Sequence, residues 1–455
     1  MRIKQISVTD LFGFFEYVIP LNMEEHITII HGKNGVGKTT LLKLINGFFQ
    51  LRYSELRTIP FSCLKIEFDN DDHVKLNKAN KETIKKIKSE SNDRNGLSFY
   101  FENQSSNNTK EFSPDFMTKE EKRRAMNAVR FIEDTIPGLE RIGARGWLYM
   151  PTREELSLEE VLERFSEVIS EDNFITPTAN WLKKLTDSIN VRFIEYQRLL
   201  NSKYNNQNFK RYGRQLMSPL MSPSVASYSE ELADNIQTKL TEYGTLSQSL
   251  DRTFPARVVQ QKRLPELTDG ELRQKLNELE EKRSKLIEAG LLNRDEDPNF
   301  QIQGDIDEST KKILSVYIKD VDKKLSVFNE IARKTDLIKR IINDKFSYKQ
   351  INISKDKGFT FTTDDGKSLS PTNLSSGEQH ELVLLYELLF KVKPNSLILI
   401  DEPELSLHVE WQVQFLKDLQ EITQLSNIDV LIATHSPDII HDRWDLTVEL
   451  KGPGE

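Results

Sequence analysis

The chain has 455 residues, of which 29% are charged, and a formal net charge of −8 at pH 7. This length allows about two to three domains, and the negative balance argues against a protein-wide field that attracts nucleic acid, although local basic patches are not excluded. Cys63 is the single cysteine, which excludes a disulfide framework and a cysteine metal cluster. No apolar run reaches about 18 residues and the first residues do not resemble a secretion signal, so we expect a cytoplasmic protein without a membrane-spanning helix.

The first predicted elements enclose a glycine-rich loop. Alternating apolar residues up to residue 21 predict an opening β-hairpin, and the apolar run 27–30 predicts a buried strand. Apolar residues then recur at helical spacing over 40–49. Strand, glycine-rich loop and helix form the context that a phosphate-binding loop requires, and an accidental glycine-rich turn is the alternative. The residues predicted to bind nucleotide here are Gly32, Lys33, Asn34, Gly35, Val36, Gly37, Lys38, Thr39 and Thr40.

Each residue type in this loop serves a different part of a bound nucleotide. Glycines let the backbone curl so that successive N–H groups point at phosphate oxygens. The chain of Lys38 extends towards the β- and γ-phosphates, and the hydroxyl of Thr39 is placed to ligate Mg²⁺. ATP and Mg²⁺ are therefore the expected cofactors.

Strand patterns at 60–70 and 97–103 predict a peripheral antiparallel sheet. A basic stretch, Lys75 to Lys88, lies between them. It fits a solvated face, contact with a phosphate backbone, or a dock for an acidic protein. Stacking on single-stranded nucleic acid is not expected, because no aromatic residue interleaves with its lysines. A further strand pattern leads into the polar turn 150–153.

The pattern is mostly helical from about residue 155 to 346. Leucines at helical spacing over 264–286 predict one helix, and apolar residues over 314–341 predict a second. We expect these two helices to pair as a short antiparallel coiled-coil arm. The polar segment 201–224, which contains two prolines, predicts a linker.

Acidic residues follow a buried strand far along the chain. The run 397–400 predicts a parallel strand, and Asp401 stands at its carboxyl end, where open α/β sheets bind ligands. We predict that Asp401 holds Mg²⁺ and that Glu402 is the general base that polarises the attacking water. A pair of helix-capping acids is the alternative.

The phosphate loop and Asp401 must touch one nucleotide, although they lie at opposite ends of the chain. We therefore predict an α/β P-loop ATPase head that is split in sequence by a mostly helical insertion. The predicted parts are an N-terminal lobe, 1–155, the insertion, 156–346, and a C-terminal lobe, 347–455.

A second anion site is predicted at Leu374-Ser-Ser-Gly-Glu378, which opens a helix shortly before the Asp401 strand. A helix N-terminus carries free N–H groups and a partial positive charge. The pairing of this turn with a later Asp-Glu strand marks an ATPase of the ABC type, in which the turn meets the γ-phosphate held by a second copy. The residues predicted to do so are Ser375, Ser376, Gly377 and Glu378. An ordinary serine N-cap, with Glu378 completing a capping box, is the alternative.

Two further positions follow from the order of strands and motifs. His435 comes directly after the last apolar strand, and we predict that it donates to the γ-phosphate. The loop 404–408 is predicted to face the interface between heads. No glutamine near Mg²⁺ is assigned, since Gln50 and Gln197 are poor candidates, and the turn 150–153 is a weak alternative.

The whole chain resembles the ABC-type ATPases of bacterial anti-phage systems, first those of the PARIS type and next those of the Septu type. The matching motifs are Leu11-Phe-Gly13, the phosphate loop, Tyr149-Met-Pro-Thr-Arg153, Leu246-Ser-Gln-Ser-Leu-Asp-Arg-Thr-Phe-Pro255, the turn at 374–378, Asp401-Glu-Pro-Glu-Leu-Ser-Leu-His408 and Ala433-Thr-His-Ser-Pro437. Ser376 departs from the pattern, because most ABC proteins have glycine there, and the exchange reduces backbone freedom.

The resemblance implies an ABC-type, SMC-like head that works as a homo-oligomer, a hexamer of dimerised heads. It also implies a separate nuclease effector, which is of the toprim type in PARIS and of the HNH type in Septu, and a phage protein as trigger. No nuclease motif follows His435, so we expect no nuclease activity in this chain. The rival interpretations are an SMC-like DNA-repair ATPase that clamps DNA and a passive ATP-locked scaffold.

Overall fold

The computed structural model describes residues 1–79, 96–103, 108–114, 129, 136, 138–143, 146–150, 154–165, 178–195, 224–260, 268–293, 306–405 and 407–452. The chain forms two compact units. The head unit consists of Met1–Ser222 and Glu387–Glu455, and the inserted unit is Pro223–Tyr386. The three-part division drawn from the sequence stays a prediction.

The strands are numbered along the chain. They are β1 (Ile3–Leu11), β2 (Phe15–Pro20), β3 (Ile27–His31), β4 (Cys63–Phe68), β5 (His73–Lys78), β6 (Leu97–Asn103), β7 (Asn108–Phe112), β8 (Leu139–Arg141), β9 (Gly146–Tyr149), β10 (Glu154–Ser157), β11 (Val191–Glu195), β12 (Lys349–Ser354), β13 (Gly358–Thr363), β14 (Ser368–Leu369), β15 (Leu397–Asp401), β16 (Asp429–Ala433) and β17 (Thr447–Glu449).

The α-helices are numbered in the same way. They are α1 (Lys38–Phe49), α2 (Tyr53–Thr58), α3 (Leu158–Arg164), α4 (Asn180–Ser188), α5 (Ser224–Gln260), α6 (Asp269–Glu288), α7 (Glu308–Ser326), α8 (Asn329–Lys345), α9 (Ser376–Tyr386), α10 (Val409–Ser426) and α11 (Pro437–Ile440). A π turn spans Glu387–Lys391. Among the described residues, no helix combines the length and apolar character needed to cross a bilayer.

A parallel five-stranded sheet is the centre of the head unit, with the order β11-β15-β16-β3-β17. Strands β3, β15 and β16 are almost wholly buried apolar runs, as expected for a parallel sheet covered on both faces. Asp401 pairs with Ala433, and Ala433 pairs with Ile30. The three strands therefore end level, and the residues that follow them share one edge of the sheet.

A second sheet in the head unit is antiparallel, with the order β2-β1-β4-β5-β6-β7. It confirms the peripheral sheet predicted from 60–70 and 97–103. Lys75 and Lys78, at the start of the basic stretch, bind locally. The Lys75 ammonium lies 2.9 Å from a Glu102 oxygen, and that of Lys78 donates to the Arg57 carbonyl at 2.6 Å. The other lysines of the stretch, Lys81, Lys85, Lys86 and Lys88, lie outside the described residues.

A small three-stranded sheet, β10-β9-β8, packs with α3 around the fully buried Trp147. From α3, the Glu163 carboxylate accepts hydrogen bonds from the hydroxyl and the backbone N–H of Ser54 on α2. Burial raises the pKa of Glu163 to about 7, although the Ser54 bonds and the Arg57 charge oppose the shift. The side chain thus joins the α3 region to the helix that follows α1.

Glu163 gives the stability of the head unit a pH dependence. Its pKa is about 7 in the folded protein and near the ordinary 4.5 in the unfolded chain. Between these values the folded state binds more protons, so the free energy of unfolding falls as the pH rises through this window. We expect Glu163→Gln to flatten that part of the curve when the midpoint of thermal unfolding is measured from pH 4.5 to 8. The exposed Glu140→Gln is the control, and an unchanged slope in Glu163→Gln would contradict the prediction.

The inserted unit contains an antiparallel helix pair, but the prediction of which helices form it is wrong. The helices predicted over 264–286 and 314–341 do not pair in this way. Helix α5 runs antiparallel to α7: the Arg257 guanidinium lies 2.6 Å from an Asp320 oxygen, and Lys324 lies 2.8 Å from Asp251. The predicted partner α6 instead runs parallel to α7, since Lys311 contacts Asp269 at their first turns and Lys282 contacts Asp322 further along.

The helix predicted as continuous over 314–341 is also interrupted. It breaks after Ser326 into α7 and α8, and Phe328 at the break is fully buried. Its N–H bonds to the carbonyl of Leu325, three residues back, which tightens the chain into a turn.

A three-stranded sheet, β12-β13-β14, completes the inserted unit. The Ser229 hydroxyl of α5 donates to the Lys357 carbonyl at 2.7 Å and accepts from the Phe359 N–H at 2.8 Å. A Cβ on Gly358 would lie 1.8 Å from the Ser229 carbonyl oxygen, and φ there is +66°. Only glycine fits this approach of strand to helix.

Helix α9 is held to α8 by an ion pair between Lys345 and Glu381. Both side chains are only 1% exposed. Removing either partner would leave a buried charge without its counter-ion, which is costly. This pair therefore fixes the helix that begins at the predicted anion-binding turn.

Candidate active site

The glycine-rich loop follows β3 and leads into α1, as predicted. Gly35 and Gly37 have φ of +86° and +88°, in the left-handed region that favours glycine. A Cβ on Gly37 would also lie 3.0 Å from the Phe12 ring. Gly37 is the N-cap of α1 and offers no side-chain cap, so the first-turn N–H groups remain available to an anion.

Lys38 lies inside the loop and is 4% exposed. Its ammonium donates to the carbonyl of Gly32 at 2.9 Å and lies 3.2 Å from Nδ1 of His435. Burial lowers the pKa of Lys38, although the carboxylates of Glu402, Asp401 and Glu404 oppose the shift. Phosphate oxygens are stronger acceptors than neutral carbonyls, so a triphosphate in the loop would attract this ammonium.

Thr39 and Asp401 meet as predicted for a metal site. The Thr39 hydroxyl donates to an Asp401 carboxylate oxygen at 3.1 Å. Mg²⁺ takes oxygen ligands and is usually held by one or two protein groups, with waters and phosphates completing the shell. These two side chains fit that description.

Glu402 and His435 face each other at the same edge of the sheet. The Glu402 N–H bonds to the Ala433 carbonyl at 2.8 Å, and φ of Glu402 is +46°. This left-handed turn is uncommon for a non-glycine residue and is typical of functional sites. His435 Nε2 lies 3.8 Å from a Glu402 oxygen. Because its Nδ1 faces the Lys38 ammonium, we assign the ring proton to Nε2.

Glu404 is a site residue that the sequence analysis placed in an interface loop only. One of its oxygens accepts from the Thr434 hydroxyl at 2.8 Å, and the other accepts from the His435 N–H at 2.8 Å. His408, at the end of the loop, is exposed, with its ring 5.9 Å from that of Trp411. The Glu404 side chain therefore reaches the residues that directly follow β16.

The predicted anion-binding turn opens α9 in the inserted unit. The Glu378 N–H bonds to the Ser375 hydroxyl at 3.4 Å, and a Glu378 oxygen accepts from the Ser375 N–H at 2.9 Å. The capping box is thus present. Burial opposes ionisation of Glu378, but bonds from Lys349 and Ser375 outweigh it and lower the pKa of this carboxyl. The roles of Ser375, Ser376, Gly377 and Glu378 towards a nucleotide stay predictions.

Neither candidate for the glutamine near Mg²⁺ is placed at the site. The Gln50 amide donates to the Val191 carbonyl at 2.8 Å and ties α1 to β11. Gln197 lies outside the described residues, as do Pro151, Thr152 and Arg153. Strand β11 ends at Glu195, which pairs with Asp401.

Curated relatives match only part of the chain. The "Retron Ec83 probable ATPase" of Escherichia coli is 28% identical over 157 residues, covering 30% of this chain and 27% of that protein. The "Putative ABC transporter ATP-binding protein" of Clostridium acetobutylicum is 28% identical over 141 residues, covering 30% and 49%. The chain thus spans between a quarter and a half of the length of these relatives.

Solved structures with similar folds are SMC head domains. The head of Pyrococcus furiosus Smc with an extended coiled coil is 12% identical at a TM-score of 0.33, covering 99% of this chain and 94% of that one. The Thermotoga maritima head is 9% identical at a TM-score of 0.31, covering 97% and 91%. Scores this low transfer no property to this chain.

The family comparison covers nearly the whole chain. The model of the AAA ATPase domain family AAA_15 matches residues 1–440, from β1 to the end of α11. That range contains the phosphate loop, Asp401, Glu402 and His435. The chain therefore belongs to the AAA_15 family of AAA ATPase domains.

Proposed function

We propose that the protein binds MgATP at the glycine-rich loop and hydrolyses it with Glu402 as general base. The observation that carries this proposal is the meeting of Lys38, Thr39, Asp401, Glu402 and His435 at one edge of the parallel sheet. Phosphate release by the purified chain, with and without Mg²⁺, tests it. A chain that binds ATP but releases no phosphate would be a passive scaffold instead.

Each residue has a defined task in this reaction. When bound, Mg²⁺ neutralises charge on the β- and γ-phosphates. The loop N–H groups and Lys38 hold the phosphates, while Thr39 and Asp401 would hold the metal. Glu402 accepts the proton of the attacking water, because its neighbour Asp401 is committed elsewhere. His435 donates from Nε2 towards the γ-phosphate.

We also propose that two copies of the chain share each ATP. The Ser375 turn of one copy would approach the γ-phosphate held by the loop of the other. Support comes from the N-terminus of α9, where the helix dipole places partial positive charge. The capping box of Ser375 and Glu378 would have to open or share its donors when this turn meets a phosphate. Homodimers of this kind are symmetric, so each dimer contains two equivalent composite sites.

Mixing two inactive variants tests the shared site. Lys38→Ala removes a charge-assisted contact worth about 1.5–3 kcal/mol and should weaken ATP binding about tenfold or more. Ser375→Arg blocks the turn instead. We expect each variant alone to lack turnover, and an equimolar mixture to recover about a quarter of the wild-type rate, because half of the dimers then contain one intact site. Two Lys38→Ala preparations mixed together are the control, and a mixture that stays inactive would argue against sharing.

The biological role that we propose is defence against phage. The motifs quoted above resemble AriA, the ATPase of the PARIS system, and the similarity to a retron ATPase is compatible with such a role. We propose a cytoplasmic homo-oligomer, a hexamer of dimerised heads, that holds a toprim-type nuclease and releases it when a phage protein is sensed. We also retain the division into lobes 1–155 and 347–455 around an insertion, 156–346.

The neighbouring gene distinguishes the defence systems. A toprim-type nuclease that co-purifies with this chain would support the PARIS type, and an HNH nuclease would support the Septu type. The DNA-clamp alternative requires duplex binding with a steep dependence on salt. Lys75 and Lys78 do not favour it, because their ammonium groups are engaged by Glu102 and by backbone carbonyls.

A further inference from the structure

Two side chains join the loop after β15 to the loop after β16. Glu404 binds with both carboxylate oxygens, one to the Thr434 hydroxyl and one to the His435 N–H, each at 2.8 Å. Thr434 is fully buried. A carboxylate that accepts two well-directed bonds forms a stronger tie than neutral partners would. The backbone of His435 is therefore anchored by an acid from another loop.

Gln412, on the first turn of α10, also joins the loop after β15 to the loop after β16. Its amide N–H groups donate to the carbonyls of Glu404 at 3.3 Å and Leu407 at 3.2 Å. Its amide oxygen accepts from the Ser436 hydroxyl at 2.8 Å. The side chain is buried, so these bonds are shielded from water. Gln412 thus holds the Glu404 loop in place while it touches the residue after His435.

We propose that Glu404 is a positioning residue for His435, and that Gln412 supports it. This inference rests on the proposed ATPase reaction and adds a residue to it. Glu404 fixes the position of the His435 backbone just after β16, and this places the imidazole ring between Lys38 and Glu402. The Lys38 ammonium lies 3.2 Å from Nδ1, and a Glu402 carboxylate oxygen lies 3.8 Å from Nε2. Without the anchor, the ring would lose its defined distance from the γ-phosphate.

The geometry separates the roles of the two neighbouring acids. Each oxygen of Glu404 accepts one bond, from the Thr434 hydroxyl or the His435 N–H, so this carboxylate is directed towards the residues after β16. Glu402 has its backbone fixed by Ala433, and its carboxylate faces the His435 ring. This arrangement favours Glu402 as the base and a role for Glu404 through His435.

The anchor also makes His435 responsive to its surroundings. Leu405, next to Glu404, is 74% exposed, and Val409 at the start of α10 is exposed as well. Any contact that shifts this loop would move the Glu404 carboxylate and with it the His435 backbone. Hydrolysis would then depend on what touches the loop.

Steady-state kinetics on the full chain tests the assignment. We expect Glu404→Ala to lower kcat about tenfold to a hundredfold, the size of effect that loss of a charged hydrogen-bond anchor gives, with KM for ATP within about twofold of wild type. Glu404→Gln, which retains one acceptor, should fall between the two. The exposed Glu410→Gln on α10 is the matched control and should be unchanged.

A double-mutant cycle separates positioning from general damage. If Glu404 acts through His435, Glu404→Ala should cost little further rate in a His435→Ala background, because the two losses are not additive. Equal cost in both backgrounds, or a wild-type kcat for Glu404→Ala, would overturn the proposal. So would a fall in ATP affinity that matches the fall in rate.

A readout without turnover keeps the two proposals distinguishable. In nucleotide-free protein labelled at histidine, we expect Glu404→Ala to shift the imidazole resonances of His435 and Glu410→Gln to leave them in place. Unshifted His435 resonances in Glu404→Ala would overturn the positioning role. A wild-type chain with no phosphate release would overturn the proposed ATPase reaction instead, while the His435 shift would still report on the anchor.

Discussion

Glu402→Gln is expected to lower the rate of ATP hydrolysis by about 10²–10⁴-fold, the usual contribution of a general base. Glutamine has nearly the same shape but cannot accept the proton of the attacking water. ATP binding should persist, because Lys38, Thr39 and Asp401 are unchanged. The variant should therefore accumulate with intact ATP, and a single-turnover assay that measures retained ATP against released phosphate checks both halves of the prediction.

The control for Glu402→Gln is an acid close in sequence to His435 that makes no contribution to the reaction. Asp438 on α11 is exposed, and Asp438→Asn should hydrolyse ATP at the wild-type rate. Asp401→Asn should behave differently from Glu402→Gln. It removes a proposed Mg²⁺ ligand, so it should weaken the Mg²⁺-dependent part of ATP binding. Turnover by Glu402→Gln above a tenth of the wild-type rate would assign the base to another group.

Lys345→Met is expected to destabilise the inserted unit by about 3–5 kcal/mol, because it leaves the Glu381 carboxylate buried without its cation. Both side chains are 1% exposed, so water cannot replace the lost partner. Hydrogen–deuterium exchange of the α8 and α9 amides measures the effect locally, as faster exchange by about two to four powers of ten. Loss of order in α9 would reach the Ser375 turn at its start.

Replacing both members of the ion pair by apolar residues should recover most of the lost stability. In Lys345→Met/Glu381→Leu neither charge is left behind, and replacement of a buried pair by apolar residues is often neutral. Lys239→Met, which breaks the exposed pair with Glu242, should change stability by less than about 1 kcal/mol. If Lys345→Met exchanged no faster than Lys239→Met, the ion pair would have no structural role.

The parts of the candidate active site that could be predicted are those whose residues form a recognisable pattern within a short segment of sequence. The phosphate loop is recognisable because glycine positions, a preceding apolar strand and a following helix occur together. Asp401 and Glu402 are recognisable from the apolar strand before them, and His435 from the strand before it. Parallel strands align their carboxyl ends, so these local patterns sufficed to predict one shared site.

What the sequence did not predict depends on contacts between distant segments. Glu404 accepts a hydrogen bond from Thr434, 30 residues later in sequence, and the sequence around Glu404 contains no pattern that predicts this contact. Strand β11 is only 5 residues long and follows a helix in a region of helical patterns, so its place beside β15 was missed.

The direction of α6 shows a similar limit. An antiparallel pairing suits a short connection, but residues 289–307 separate α6 from α7. At about 3.3 Å per residue this segment can span about 60 Å, which is more than the roughly 30 Å length of a 20-residue helix. The chain can therefore return to the start of α6, and the contact between Lys311 and Asp269 marks the parallel direction.

The order of strands in the central sheet has a consequence for synthesis on the ribosome. Strand β3, which carries the phosphate loop, has β16 and β17 as neighbours, and the Leu450 N–H bonds to the His31 carbonyl at its end. These partners are translated some 400 residues after β3. Pairings so distant in sequence form late. A nascent chain stopped before residue 429 would have a complete glycine-rich loop but neither neighbouring strand of β3 to hold it, so incomplete translation products would be unable to form the candidate active site.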